Sequence, residues 1–358
     1  NKYFKKKIQM QMETGVDNVI RNLRIASVAI YCVVVIVGTV GNGLVIYVTA
    51  FRMKRTVNSV WFLNLAIADF LFLAFLIFTI ISFSQEYHWP FGLVMCKLNN
   101  FVTVVTMFAS IFLLMAISLD RCLSVWVVVW AQNKRTVRKA VLISVAIWVA
   151  AVICSTPYAI FRLIWSKSGK TFCSYPITTP MQSLVIFRFS MGFLIPFLAI
   201  LASYVAIGAR ARRLQRRNRQ RSCRIIFSII LAFFICWLPY HVMSFIELRV
   251  DRRLSHIKIA GSLTVCLAYT NSCLNPILYV FMCHEFQNKL KQSICFVLEN
   301  ALAEDHLSFM SSRSMSSHLS RISRKSDSAA PVEKSTSTSL KSTESKVVFS
   351  ECRENTEH

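Results

Sequence analysis

Charged residues are scarce in this chain, and acidic residues are the scarcest. Of its 358 residues 16% are charged, 17 of them acidic against 41 basic, and no acidic residue lies between Asp120 and Glu247. A soluble domain carries roughly 25% charged residues. A disordered basic chain lacks the 55% of hydrophobic residues found here. These residues lie in long runs rather than on amphipathic faces, so the net charge of +24 does not indicate a nucleic-acid-binding protein. The composition indicates an integral membrane protein.

Motifs that would indicate a metal site, a disulfide scaffold or an enzyme are absent from the sequence. The twelve cysteines form no CxxC pair. The seven histidines are scattered, and neither HxxE nor GxSxG occurs. Many transporters consist of two repeated halves, and this chain shows no such internal repeat. We therefore expect neither an enzyme nor a resident cofactor, and a membrane transporter remains the alternative from a different class.

Seven apolar runs are long enough to cross a bilayer as helices, which takes about 20 residues each. We predict an all-α membrane protein, a seven-transmembrane helix bundle over residues 25–282 with an amphipathic eighth helix. The predicted spans are 25–51, 59–84, 96–127, 139–160, 183–208, 222–247 and 260–282.

The positive charges of the connecting loops predict the orientation of the bundle. With the N-terminus outside, the inner loops hold fifteen lysines and arginines, eight of them from Arg210 to Arg224, and the outer loops hold seven. The basic N-terminal segment, residues 1–24, opposes this orientation, but the loops outweigh it. We predict a multi-pass protein of the plasma membrane with an extracellular N-terminus. Residues 1–11 are either a genuine basic tail or an artefact that precedes the true start at Met12.

The C-terminal part of the chain changes in character after the last span. Residues 284–298 are amphipathic and predict a helix on the inner membrane surface, with Cys283 and Cys295 as candidate palmitoylation sites. Residues 299–358 predict a disordered cytoplasmic tail, since nineteen serines and threonines lie between Ser308 and Ser350. The basic neighbours of these hydroxyl groups favour a kinase substrate over an idle tail.

Polar side chains inside the predicted spans are costly in hydrocarbon and indicate function. Asp69 lies in the middle of the second span, where polar residues of other spans are expected to meet it. A carboxylate surrounded by amide and hydroxyl oxygens suits a sodium ion or a proton; a neutral Asp in a packing network is the alternative. The expected neighbours are Asn42, Ser110, Asn271 and Asn275.

The ends of the third span carry two further predicted features. Asp120 and Arg121 lie at its inner end, where they can pair with each other, or where Arg121 can reach other polar groups or a cytosolic partner. Cys96 at its outer end and Cys173 in the second outer loop both face the oxidising side, so we predict a disulfide between them, with two free thiols as the alternative.

Taken together, these residues resemble the rhodopsin-like (class A) G-protein-coupled receptors from about Val28 to Leu298. The matching motifs are Gly41-Asn42, Leu65-Ala-Ile-Ala-Asp69, Cys96, Asp120-Arg121-Cys122, Trp148, Pro196, Tyr204, Cys236-Trp-Leu-Pro239 and Asn275-Pro-Ile-Leu-Tyr279. The segments around Trp61, His88 and Asn271 are similar to the chemoattractant branch, above all to chemerin-like receptors, with formyl-peptide and prostaglandin D chemoattractant receptors as close relatives.

The resemblance implies roles for the matching positions. A sodium site that holds the inactive state would be formed by Asp69, Ser110, Asn271 and Asn275. The activation switch would consist of Trp237, Pro239, Asp120, Arg121, Tyr204 and Tyr279. The implied partners are an extracellular peptide or lipid ligand, an inhibitory-type heterotrimeric G protein, receptor kinases and arrestin at the tail, and membrane lipid. No nucleic acid is expected.

Arg188 indicates the chemistry of the ligand. It lies eight residues before Pro196 in the outer half of the fifth span, with no acid on a nearby span to neutralise it, so we expect it to bind a carboxylate. Snorkelling of the guanidinium to lipid headgroups is the alternative. The family arrangement implies that Arg162, Tyr175, Tyr240 and, at the rim, Lys97 lie nearby. Thr103 and Val104 occupy the depth where an amine-binding Asp is expected, which disfavours aminergic ligands.

The sequence departs from the usual pattern of the chemoattractant branch at three places, which leaves open a second possible function. The second span has Phe75-Leu-Ile77 where a proline is usual, the second inner loop lacks a proline after Trp126, and the N-terminus lacks an acidic segment. The expected function is a receptor that lowers cAMP and drives calcium release and chemotaxis. The alternative is a non-signalling scavenger or decoy receptor for the same ligands.

Overall fold

Long helices make up the architecture of the chain in a computed structural model. The structure describes residues 2–127, 133–214, 217–250 and 255–282, together with Asn288 and Gln292. In this part the helices are α1 (Lys2–Tyr47, with a π-helical turn over Val48–Arg52), α2 (Val57–Ser84), α3 (Gly92–Trp126), α4 (Val137–Ile160), α5 (Met181–Phe189, a π-helical turn over Ser190–Leu194, then Ile195–Leu214), α6 (Arg217–Ile246) and α7 (Ser255–Met282). One antiparallel hairpin, β1 (Leu163–Lys167) and β2 (Lys170–Ser174), connects α4 to α5.

The seven helices cover the seven predicted spans. By length and apolar composition, five described segments could cross a membrane: Asn18–Arg52, Val57–Ser84, Gly92–Trp126, Val137–Ile160 and Met181–Arg210. Ile230–Ile246 of α6 is a shorter apolar helix. The segment 1–24, predicted as extracellular, is helical from Lys2 and continuous with the first span.

α3 is the central helix of the bundle. Its most apolar stretch of 18 residues is 72% buried, whereas the same stretches of the other four spanning segments are 22–39% buried. Helices that surround a central one keep one apolar face toward lipid, which is why they expose large hydrophobic side chains. The polar residues discussed below therefore lie on faces that meet α3 or each other.

Prolines and capping residues determine the local helix geometry. Thr56 and Ser59 form a reciprocal capping box that starts α2. Pro196 lacks a backbone N–H and cannot bond to the carbonyl four residues earlier. In the turn just before it, the Ile195 N–H bonds to the Ser190 carbonyl five residues back, which is the π-helical pattern.

α1 and α7 approach closely beside the predicted sodium site. A Cβ atom at Gly41 would lie 2.9 Å from the Pro276 ring, so only glycine allows this separation. Asn42 donates to the Ser272 carbonyl over 2.8 Å, which links the same two helices. The close packing places α7 against Asp69 of α2.

Several predictions lie outside the described residues. These are the amphipathic helix 284–298 apart from Asn288 and Gln292, together with Cys283 and Cys295, the tail 299–358, and the side chain of Tyr279.

Candidate functional site

The outer half of the bundle contains a cavity of about 500 Å³. It is lined by residues of α3, α5, α6 and α7 and by residues beside the open end of the hairpin, and Trp237 and Met107 are among its lining residues. Four of the five predicted ligand-binding residues line it: Arg188, Arg162, Tyr175 and Tyr240. The fifth, Lys97, is half-buried one residue after the disulfide cysteine Cys96 and is not among the lining residues. A volume of this size is typical of small-molecule and peptide-end sites.

Aromatic rings and a hydroxyl group orient the Arg188 guanidinium in this cavity. Its Cζ lies 4.8 Å from the ring centroid of Tyr240 and 6.0 Å from that of Tyr158. Its Nη2 donates to the Ser244 hydroxyl over 3.3 Å. Its Nε is buried and has no hydrogen-bond partner among the described residues. A buried guanidinium N–H without an acceptor is costly, so an acceptor brought by a ligand would stabilise it.

Arg162 supplies a second guanidinium near the end of the hairpin. Its Cζ stacks 4.2 Å above the Tyr175 ring, and its Nη1 donates to the Cys173 carbonyl over 2.9 Å. The Tyr175 hydroxyl accepts a 3.0 Å hydrogen bond from Asn100 of α3. The two arginines bring two positive charges to the lining of the cavity.

The lining of the cavity also includes an acidic residue. Glu247, just beyond the end of α6, is a lining residue. Within the described part of the chain it does not lie within ion-pair distance of Arg188. Glu247 follows Ile246, the last residue of α6, and so reaches the cavity from the turn after that helix.

The predicted disulfide is confirmed. Cys96 at the start of α3 and Cys173 of β2 are bonded, with Cα atoms 5.8 Å apart. The bond joins the hairpin to the central helix, so the outer loop is fixed relative to the cavity wall.

A second, smaller cavity lies in the middle of the bundle. Asp69, Ser110 and Asn271 line it together with Trp237 and Met107. It has about 10 Å³ of space, the lower limit for one water molecule. The Asn271 Oδ1 is buried without a hydrogen-bond partner among the described residues. Carboxylate, hydroxyl and amide oxygens at one small space are a donor set that fits a hard cation.

Two α7 side chains hold the Asp69 carboxylate. Asn275 donates to Oδ2 over 2.6 Å and Ser272 donates to Oδ1 over 3.0 Å. Asn275 therefore positions the carboxylate and does not line the small cavity. Ser272 was not predicted, although its spacing of three residues from Asn275 places both on one helical face. Asn42, the fourth neighbour expected from the sequence, bonds to α1 and α7 carbonyls instead.

At the inner end of α3, Arg121 reaches another polar group and Asp120 binds a different arginine, so of the possibilities left open by the sequence the local pairing is not the one found. The Asp120 carboxylate accepts from Arg135, which precedes α4, with Nε at 2.8 Å from Oδ1 and Nη2 at 2.8 Å from Oδ2. Arg121 donates to Asn58 Oδ1 at the start of α2, and Arg135 donates to the same oxygen over 2.8 Å. Consecutive residues on a helix do not face each other, which is the physical reason for this arrangement.

The remaining predicted switch residues lie on the faces where α5 and α6 meet the bundle. Trp237 is buried and stacks on Phe233, with ring centroids 5.8 Å apart. Pro239 lies inside α6, two residues further on. Tyr204 of α5 packs edge-to-face on Phe227 of α6 over 5.4 Å.

Comparison with known proteins gives the family of this chain. Residues 41–279 match the family described as 7 transmembrane receptor (rhodopsin family). The chain is 42% identical to chemerin-like receptor 1 of Homo sapiens over 80% of its own length and 82% of that protein. It is 41% identical to the C3a anaphylatoxin chemotactic receptor of Danio rerio, over 79% of each chain. It is also 37% identical to N-formyl peptide receptor 2 of Macaca mulatta, over 79% of this chain and 87% of that protein.

These matches agree with the seven helices, the Cys96–Cys173 disulfide and the chemoattractant resemblance of the sequence. Members of the family are multi-pass plasma membrane proteins that bind an extracellular ligand and a G protein, and they are receptors rather than enzymes. The chain belongs to the rhodopsin family of seven-transmembrane receptors, among relatives that are chemoattractant receptors.

Proposed function

We propose that this protein is a chemoattractant receptor for a ligand with an anionic end, either a peptide carboxylate or a lipid acid. The observation that carries this proposal is Arg188, whose buried Nε lacks an acceptor in a cavity large enough for a ligand end. The names of the relatives, which include chemerin-like, chemotactic and formyl peptide receptors, support a chemoattractant receptor.

The proposed mechanism is a shift of population between two conformers. A carboxylate bound between Arg188 and Arg162 favours the conformer in which α6 swings outward about Pro239 and the inner end opens. The N-terminus is extracellular in this proposal, and the partner at the opened inner face is an inhibitory-type G protein. The downstream result is lower cAMP, calcium release and chemotaxis, followed by kinases and arrestin acting at the tail.

The small cavity belongs to the same proposal. Asp69, Ser110 and Asn271 would hold a sodium ion, and Asn275 and Ser272 would fix the carboxylate that binds it. Such an ion supplies a positive charge that stabilises the inactive packing of α2, α3 and α7. Agonist and sodium are then negatively linked, since each favours a different conformer.

The test is nucleotide exchange on an inhibitory-type G protein in membranes that contain the receptor. Chemerin-derived peptides, formyl peptides and prostaglandin D are compared on the wild-type protein, Arg188→Ala and Arg188→Lys. Loss of a buried charge pair is expected to cost about 2–5 kcal/mol of agonist binding in the alanine variant. The lysine variant keeps the charge without the fork of N–H groups, so it should recover part of the response.

An agonist potency that does not change in Arg188→Ala would refute the carboxylate assignment. Binding of these ligands to surface-exposed protein without nucleotide exchange would instead identify a scavenger or decoy receptor.

A further inference from the structure

The two edges of the outer hairpin differ in how their backbone groups are used. The register pairs Lys167 with Lys170 across a two-residue turn, so alternate residues bond within the hairpin. By this alternation the backbone groups of Thr171 and Cys173 point away from β1, and those of Ile164 and Ser166 point away from β2. Each edge therefore offers two sets of donors and acceptors to a neighbour.

The edge of β2 is already occupied. The Trp89 N–H donates to the Thr171 carbonyl over 2.7 Å, and the Thr171 N–H donates to His88 Nδ1 over 3.0 Å. Arg162 donates to the Cys173 carbonyl over 2.9 Å. The first outer loop and Arg162, which lies between α4 and β1, thus cover this side of the hairpin.

The edge of β1 is open. All five of its residues are exposed. Among the residues that the structure describes, none forms a hydrogen bond to the backbone of Ile164 or Ser166. An exposed edge strand is a template for pairing with another extended chain, and peptide recognition by strand addition uses such edges.

The hairpin is rigid before any partner binds. The disulfide ties Cys173 to α3. Glu86 accepts from Lys170 over 2.7 Å and from Arg24 of α1 over 3.1 Å, which ties the hairpin to two further elements. Trp165 and Phe172 stack across the strands with ring centroids 4.8 Å apart. Because the edge is preorganised, little ordering cost falls on the receptor when a strand is added.

Position and charge indicate the kind of chain that fits this edge. Arg162 and Ser174, at the open ends of the two strands, line the ligand cavity, whereas the turn at Ser168–Gly169 does not. A chain that leaves the cavity can therefore run along β1 toward the turn. Residues 163–174 include Lys167 and Lys170 and no acid, so acidic side chains on that chain would be complementary.

We propose that β1 binds an extended, acidic segment of a peptide ligand as a third, antiparallel strand paired at Ile164 and Ser166. The direction follows from placing the peptide's carboxyl end in the cavity, since its chain then runs from the turn toward the cavity while β1 runs the opposite way. This inference rests on the proposed function, and it selects a peptide over a lipid acid as the ligand.

The test compares two chemerin-derived peptides with free carboxyl ends on the purified full-length receptor. The short probe has about six residues. The long probe adds about six more with aspartates among them, enough to cover ~20 Å as a strand. Ser166→Pro removes the outward N–H at a position where an edge strand tolerates proline. Ser166→Ala is the control, because it keeps the N–H and loses only the hydroxyl group.

Ser166→Pro should weaken the long probe by about three- to tenfold, the effect of one hydrogen bond, and leave the short probe unchanged. N-methylation along the extension should weaken binding at every second residue. Equal losses for both probes, no loss for either, or a long probe that fails to bind the wild-type receptor would overturn the inference. The proposed function is judged separately, because an Arg188-dependent nucleotide-exchange response to a lipid acid stands even when the long peptide fails to bind.

Discussion

The Asp120–Arg135 pair gives a quantitative prediction about how the inner end of the bundle is held. The side chain of Asp120 is 11% exposed and that of Arg135 is 21% exposed, and the contact is two-pronged. Exposed ion pairs contribute about 0–1 kcal/mol, whereas removing one partner of a fully buried pair costs about 3–5 kcal/mol. A mostly buried, two-pronged pair at the membrane edge lies between these limits, so we expect a coupling energy of about 2 kcal/mol.

The perturbation is a double-mutant cycle of Asp120→Asn and Arg135→Gln, assayed by unfolding of the purified receptor in detergent. Either single change should destabilise the protein, and the second change should then cost about 2 kcal/mol less than it does alone. Arg135→Lys is the matched control, since it keeps the charge and loses the two-pronged geometry. Additivity within about 0.5 kcal/mol would refute the pairing. A measurable coupling between Asp120 and Arg121 instead would restore the pairing expected from the sequence.

Two further predictions concern sodium and pH. Agonist affinity in membranes should fall about fivefold or more when sodium replaces potassium. Asp69→Asn should abolish this difference. If the affinity of the wild-type receptor does not depend on sodium, the sodium site is not part of the mechanism. At the outer surface, Lys170 and then Arg24 lower the pKa of Glu86 below its ordinary range. The ion pairs of Glu86 therefore stabilise the folded protein above the ordinary carboxylate pKa, and this stabilisation disappears as the pH falls through the lowered pKa of Glu86. The difference in unfolding temperature between wild type and Glu86→Gln should shrink over that acidic window. A difference that does not depend on pH would contradict a stabilising role for the ion pairs of Glu86 with Lys170 and Arg24.

Periodicity and composition predicted the features that depend on single residues and long runs. The seven spans follow from the cost of exposing a backbone to hydrocarbon, which acts on every residue of a span. The Cys96–Cys173 disulfide follows from the side of the membrane that each cysteine faces. The resemblance to the family was needed, in addition to physical reasoning, to predict the four cavity residues, which are Arg162, Tyr175, Arg188 and Tyr240.

Features that depend on how loops fold back were not predictable in this way. Arg135, two residues before α4, contacts Asp120 near the end of α3, and no local pattern in the sequence indicates this contact. Glu247 lines the cavity from the turn directly after Ile246, the last residue of α6. The hairpin was missed because its apolar β1 residues directly follow the fourth span, although Ser168-Gly169 is a turn sequence suited to a two-residue hairpin.

The two cavities share a wall, and this connects the proposed ligand to the proposed ion. Trp237 and Met107 line both the outer cavity and the small cavity at Asp69. The indole N–H of Trp237 is buried without a partner among the described residues, so the ring can move without losing a hydrogen bond. A ligand that displaces this ring must change the space beside Asp69, and an ion held there must resist the displacement. Since Pro239 lies two residues further along α6 and frees that helix to bend, the same displacement has a path to the inner end. The proposed negative linkage between agonist and sodium therefore needs only the side chains that line both cavities and no longer chain of contacts.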